Sequence, residues 1–131
     1  MTGLDTNVLL RFFAQDDPRQ SPVADGMMAS LSQDNPGWVG LATILELVWA
    51  MSSRMRYAKP AVCDAIQQLL DLDSIVVEQA EIVSLAIGQF RSVRADFADC
   101  LIAASARAAG CSRVVTFDRV AARDVGMELA G

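Results

Sequence analysis

"GLDTNVLLRFF", residues 3–13, places a single carboxylate, Asp5, where a short strand at about 2–5 runs straight into a helix from Asn7 to about Phe13. Val8, Leu9, Leu10, Phe12 and Phe13 follow it closely and begin an apolar core. A charge beside such a core is costly unless it is paired, hydrogen-bonded or bound to a metal. Which of these holds Asp5 is the question the remaining sequence has to answer.

The same alternation continues along the chain. "QDDP" (15–18) breaks the first helix, and a second is expected over Arg19–Ser32. "QDNPG" (33–37) is a turn by its Asn, Pro and Gly, and "GWVG" is a short strand. "ATILELVWAMSSRM" (42–55) reads as one long helix, punctuated by "YAKP". "AVCDAIQQLLDL" follows as a helix with Val62, Ile66, Leu69 and Leu70 at helical spacing. "SIVV" (74–77) is a strand, "EQAEIVSLAIGQF" a helix, and "ADFADCLIAASARAAG" another that stops at Gly110. "RVVTFD" (113–118) is expected as a buried strand, followed by a helical turn around "RVAAR" and a weak last strand near 127–129. Strands alternating with helices define an α/β chain whose parallel sheet is covered on both faces. In such sheets function gathers at the carboxyl ends of the strands. Asp5 and Asp118 both stand there.

Composition narrows the chemistry. The chain has 131 residues, so residues 1–131 are expected to form one domain. Its longest uncharged stretch, residues 35–45, is far short of the roughly 20 residues of a membrane span. No signal-peptide pattern opens it, so a cytoplasmic location is expected. Cys63, Cys100 and Cys111 are odd in number and form no C-x-x-C, which argues against a disulfide framework or a zinc knuckle. There is no histidine, and that removes Ser-His-Asp and Cys-His catalysis and His-bound zinc together. Dinucleotide and nucleophile-elbow glycine motifs are absent, and the single lysine, Lys59, precedes a proline and cannot serve a Walker loop. An enzyme built from this chain works with carboxylates, hydroxyls, amides and arginines. The net charge of −5 argues against sequence-blind nucleic-acid binding, yet ten of the eleven basic residues are arginine, the better bidentate phosphate ligand.

Each carboxylate has a plainer alternative. Asp5 can cap the helix that follows it, although Thr6 and Asn7 are equally able to. Glu46, the only charge between Asp34 and Arg54, shares a stripe with Thr43, Ala50 and Ser53 that is either a solvent edge or the wall of a polar cleft. Asp96 is a natural N-cap, with Asp99 three residues on in the first helical turn. Asp118 can cap "RVAAR", and Thr116 two residues earlier points to the same side of its strand. Taken together, four carboxylates at one strand edge would repel one another and raise some of their pKa values unless a cation lay among them. Hard divalent ions such as Mg²⁺ or Mn²⁺ suit oxygen donors, and acid clusters of this kind serve phosphoryl chemistry.

"GLDTNVLLRF", "ATILELVWAM", "DFADCLIAASARAAGC" and "VVTFD" resemble, in order and spacing, the PIN domain, and more narrowly the VapC toxins of bacterial toxin–antitoxin operons. The resemblance covers nearly the whole chain; the segments at about 14–35 and 57–92 carry little of it. It implies a three-layer α/β/α sandwich with a central, mainly parallel sheet, and a Mg²⁺- or Mn²⁺-dependent endoribonuclease. The family's four acids fall on Asp5, Glu46, Asp99 and Asp118, none of them substituted. Asn7 matches a supporting position, Thr6 and Thr116 match small hydroxyl positions, and Asp96 a looser acidic one.

On that footing RNA is cleaved by in-line attack of a metal-activated water. Asp5 and Asp99 bind the principal metal; Asp118 and Glu46 complete its shell or orient the nucleophile, with one or two ions left open. Arg11, Arg54, Arg56, Arg91, Arg94 and Arg119 are candidates to hold phosphates, solvated helix surface being the plainer alternative for any one of them. A cognate antitoxin and a homodimer are further implied, with Trp49, Met51 and Met55 available either for that contact or for the core. A phosphoacceptor receiver domain and a D-x-D phosphatase fit poorly, for want of a suitably placed lysine and of an Asp at position 7. A PIN-fold RNA-maturation nuclease and a non-catalytic RNA- or protein-binding relative stay as alternatives.

Overall fold

A computed structural model describes all of residues 1–131. The chain divides into two compact units, Met1–Ala80 and Glu81–Gly131.

The first unit runs β1 (Thr2–Gly3), α1 (Thr6–Ala14), α2 (Gln20–Ala29), β2 (Gly37–Val39), α3 (Leu41–Trp49), α4 (Lys59–Asp71) and β3 (Ile75–Val77). Its strands pair in the order β1-β2-β3, all parallel, with Thr2 opposite Gly37 and Gly37 opposite Ile75. Parallel neighbours need long crossovers, and the helices supply them. Leu9, Leu10, Ile44, Leu47, Val62, Ile66 and Leu69 are fully buried. Gly37 is where this core closes on the sheet. A β-carbon there would lie 2.8–2.9 Å from the side-chain tips of Leu4, Leu31 and Ile75.

Two expectations for this unit are corrected. The second helix is shorter than Arg19–Ser32, ending at Ala29 with Ser30 as its cap. The long helix over 42–55 is not uniform: α3 ends at Trp49, and the chain widens into a π-helical turn over Ala50–Arg54. There the Met55 amide reaches back to the Ala50 carbonyl and the Tyr57 amide to that of Met51, both at 2.9 Å. Arg56 makes the closing bend with a left-handed backbone (φ 55°). Met51 is consequently core, whereas Trp49 is 59% exposed.

The second unit holds the body of α5 (Ala80–Phe90), then α6 (Phe97–Ala108), β4 (Val115–Thr116), α7 (Arg119–Val125) and β5 (Glu128–Leu129). β4 and β5 are parallel, Val115 opposite Glu128. Val83, Ala86 and Ile87 of α5 are buried, as are Cys100 and Ala103 of α6, and Phe90 meets Phe97 edge-on at 5.8 Å. α6 stops as expected near Gly110, whose φ of 94° suits glycine. "RVVTFD" departs from expectation. Only Val115 and Thr116 are strand, Val115 is half exposed, and Phe117 stands almost wholly in solvent. Its β-branched, apolar composition matches a buried strand, but only a two-residue ladder covers it.

Every strand pairing is parallel and every crossover helical, which is the α/β class expected. The three cysteines form no disulfide, and no helix is long and apolar enough to cross a membrane.

Candidate active site

In the first unit, Asp5 occupies the N-cap of α1 with an extended backbone (φ −82°, ψ 159°). Its carbonyl accepts the first helical amides, from Val8 at 3.2 Å and Leu9 at 3.4 Å, while its carboxylate makes no capping bond. The position is a cap; the acid group is not used as one. Thr6, buried beside it, donates its hydroxyl to Glu46 Oε1 at 3.3 Å. The first residue of α1 therefore steadies the acid of α3, and Glu46 is solvent-facing but tethered. Asn7 is exposed. An apolar groove of about 430 Å³ between α1 and α2 includes Asn7, Val8, Val23 and Met27 in its walls, and none of the acids lines it.

Glu78, at the carboxyl end of β3, has a role the sequence reading missed. Its Oε1 accepts the Leu41 amide at 2.8 Å and caps α3, whose own N-cap residue, Gly40, has no side chain to offer. The available signal was position: Glu78 ends its strand much as Asp5 and Asp118 end theirs.

In the second unit, Asp96 is the N-cap of α6 but makes no side-chain capping bond. Asp99, in the first turn, accepts the Asp96 amide instead, half of a capping box. Partial burial pushes the Asp99 carboxyl above its ordinary range; the nearby charges of Asp96 and Asp118 push it further, and the Asp96 amide bond opposes them. Asp118 does cap its helix. Its Oδ1 accepts the amides of Val120 at 2.8 Å and Ala121 at 3.0 Å, and its own amide donates to Thr116 Oγ1 at 3.0 Å. Thr116 thus supports Asp118 through the backbone.

Asp124 is a second residue missed. Its Oδ2 accepts the amides of Arg94 at 2.8 Å and Ala95 at 3.0 Å, and its Oδ1 takes Arg123 Nε at 2.6 Å. The side-chain bond from Arg123, helped by the two amides, holds its carboxyl at about 2. This ties the segment entering α6, where Asp96 and Asp99 begin, to α7, which Asp118 begins. Because the folded value is depressed, the stabilisation is present above the ordinary carboxylate pKa and is lost as pH falls from about 4 towards 2. Asp124→Asn is expected to lower Tm at pH 7 and to flatten the fall in Tm between those pH values. Thermal melts from pH 2 to 7 check both.

The arginines differ in their freedom. Arg11 is paired with Asp16 at 2.8 Å, and its Nε is buried without a hydrogen-bond partner. Arg54, Arg56, Arg94 and Arg119 are exposed.

No group of three or more acidic, histidine or cysteine side chains lies close enough to hold a metal by itself. Asp5 and Glu46 belong to the first unit, Asp99 and Asp118 to the second. The donors nevertheless suit a hard cation. All are oxygen, and Mg²⁺ keeps several waters, needing only one or two direct carboxylates. Burial is the main cause that raises Asp99, and the repulsion that adds to it is the kind a cation relieves.

The PIN domain family matches residues 4–125, a span that contains Asp5, Glu46, Asp99 and Asp118. The chain belongs to that family. Among curated proteins it is similar to a VapC ribonuclease of Aquifex aeolicus (strain VF5), with 26% identity over 120 residues, 91% of this chain and 88% of that one.

Proposed function

We propose that this protein is a Mg²⁺- or Mn²⁺-dependent endoribonuclease, the toxin of a type II toxin–antitoxin pair, with residues 1–131 working as one nuclease domain. The observation that carries the proposal is the family match, which spans all four acids and crosses the boundary between the two units. The similar VapC ribonuclease directs it to RNA.

Asp5 and Asp99 are assigned to hold the cation. Asp5 makes no capping bond with its carboxylate, and Asp99 is an acid whose charge its surroundings disfavour. Glu46, steadied by Thr6, and Asp118 are assigned to complete the shell or orient the attacking water. Asp118 is fixed by the cap that one of its oxygens makes. When bound, the ion supplies charge neutralisation and a more acidic water. Asp96 adds negative charge at the start of α6, and Asn7 and Thr116 support the site from the residues beside Thr6 and Asp118. Arg54, Arg56, Arg94 and Arg119 are assigned to phosphates. A cognate antitoxin and a homodimer complete the proposal; exposed Trp49 is available for the homodimer contact, while Met51 is not. The proposed location is the cytoplasm.

The test is cleavage of total cellular RNA by the purified protein with Mg²⁺, Mn²⁺ or EDTA. Discrete fragments are expected with metal and none with EDTA. Asp5→Asn should slow cleavage about a hundredfold or more, since even groups that only support metal ligands are worth roughly 10–100-fold. A folded, metal-binding protein that cuts nothing would instead be a non-catalytic relative.

A further inference from the structure

Phe117 is 87% exposed, more than any other large apolar side chain in the molecule. A phenyl ring left in water gives up the gain from burial, so folding does not account for its placement. Its backbone is nonetheless held on both sides. The Asp118 amide bonds Thr116 Oγ1 across it, the Ala130 amide bonds the Thr116 carbonyl at 2.8 Å, and Asp118 Oδ1 is fixed by two helical amides. The ring is thus presented from a rigid base. The residues after it are Asp118, assigned above to the proposed site, and exposed Arg119.

We infer that Phe117 is a stacking platform for an unpaired RNA base beside the scissile phosphate. The inference rests on the ribonuclease reading and adds to it a residue that positions the substrate. Aromatic faces stack on bases with little regard to sequence, and with the backbone already held only the two side-chain torsions of Phe117 are ordered on doing so. Bases inside a duplex are already stacked and cannot reach it. The exposed guanidinium of Arg119, two residues after the ring, suits a polymer of bases and phosphates better than an apolar protein face.

The test uses a short RNA carrying 2-aminopurine, either unpaired or annealed to its complement. KM, kcat and the fluorescence drop on mixing, read before cleavage, are measured for the wild-type protein and for Phe117→Ala, Phe117→Leu and Phe117→Trp. On the unpaired RNA, Ala and Leu are each expected to raise KM about tenfold and abolish the fluorescence drop, with a smaller effect on kcat. Trp should keep both, and none of the three should change Tm. On the duplex the four proteins should be equivalent.

If Ala cleaves and quenches as wild type does, the stacking role is wrong. If Leu keeps the wild-type KM while Ala loses it, the ring is apolar cover for a protein partner or second copy, and the inference is overturned as well. Failure of the wild-type protein to bind or cut either RNA would be a different result: the ribonuclease reading itself would fall, and the stacking with it.

Discussion

Asp99→Asn is expected to abolish RNA cleavage, by about a hundredfold or more, and at the same time to raise the melting temperature of the metal-free protein. The two effects have one cause. Asp99 is partly buried and sits within the fields of Asp96 and Asp118, so its ionised form is disfavoured in the folded state. An acid whose folded pKa is raised binds more protons folded than unfolded, and stability then falls as pH rises through that folded value. At neutral pH the full penalty is present; below the ordinary carboxylate range it disappears. Asparagine removes the charge, keeps the shape and leaves an oxygen to accept the Asp96 amide. Melts in EDTA should show the variant above wild type at pH 7 and the two converging in acid. A variant that melts lower at pH 7 would mean that Asp99 is an ordinary capping residue and that the repulsion is not felt.

What could be read from the sequence, and what could not, divides along the range of the interactions. Local periodicity placed the elements well. Val62, Ile66 and Leu69, spaced for a helix, are all buried in α4, and Leu9 and Leu10 are buried directly after exposed Asp5. Asp5 and Asp118 looked alike as strand-ending acids that precede a helix. In both, the backbone carbonyl takes a helical amide; the difference is that the Asp118 carboxylate takes two more and the Asp5 carboxylate takes none. Composition at one residue cannot decide that. The π-helical turn after α3 escaped because apolar spacing does not register one wider turn. "RVVTFD" misled because its residues suit a buried strand whether or not a neighbour covers them. Glu78 and Asp124 were missed for a further reason. Their amide partners lie 37 and about 30 residues away, and such bonds leave no mark on local pattern.

Asp118 should separate function from structure through two substitutions. Its charge and its cap are distinct properties of one carboxylate: one oxygen takes the Val120 and Ala121 amides, while the net charge contributes to the field at Asp99. Asparagine is as good an N-cap as aspartate, and alanine is none. Both Asp118→Asn and Asp118→Ala are therefore expected to slow cleavage about a hundredfold or more if Asp118 serves the metal or the nucleophile. Only alanine should also cost stability, about 1 kcal/mol, because α7 then begins with unsatisfied amides. Denaturant midpoints measured beside cleavage rates give the comparison. Asparagine with wild-type stability and no activity would assign the charge to chemistry. Asparagine with full activity would reduce Asp118 to a cap and leave the site to Asp5, Glu46 and Asp99. Since Thr116 reaches Asp118 through the backbone amide rather than the carboxylate, Thr116→Val is not a substitute for this experiment: it would loosen the turn and leave the charge in place.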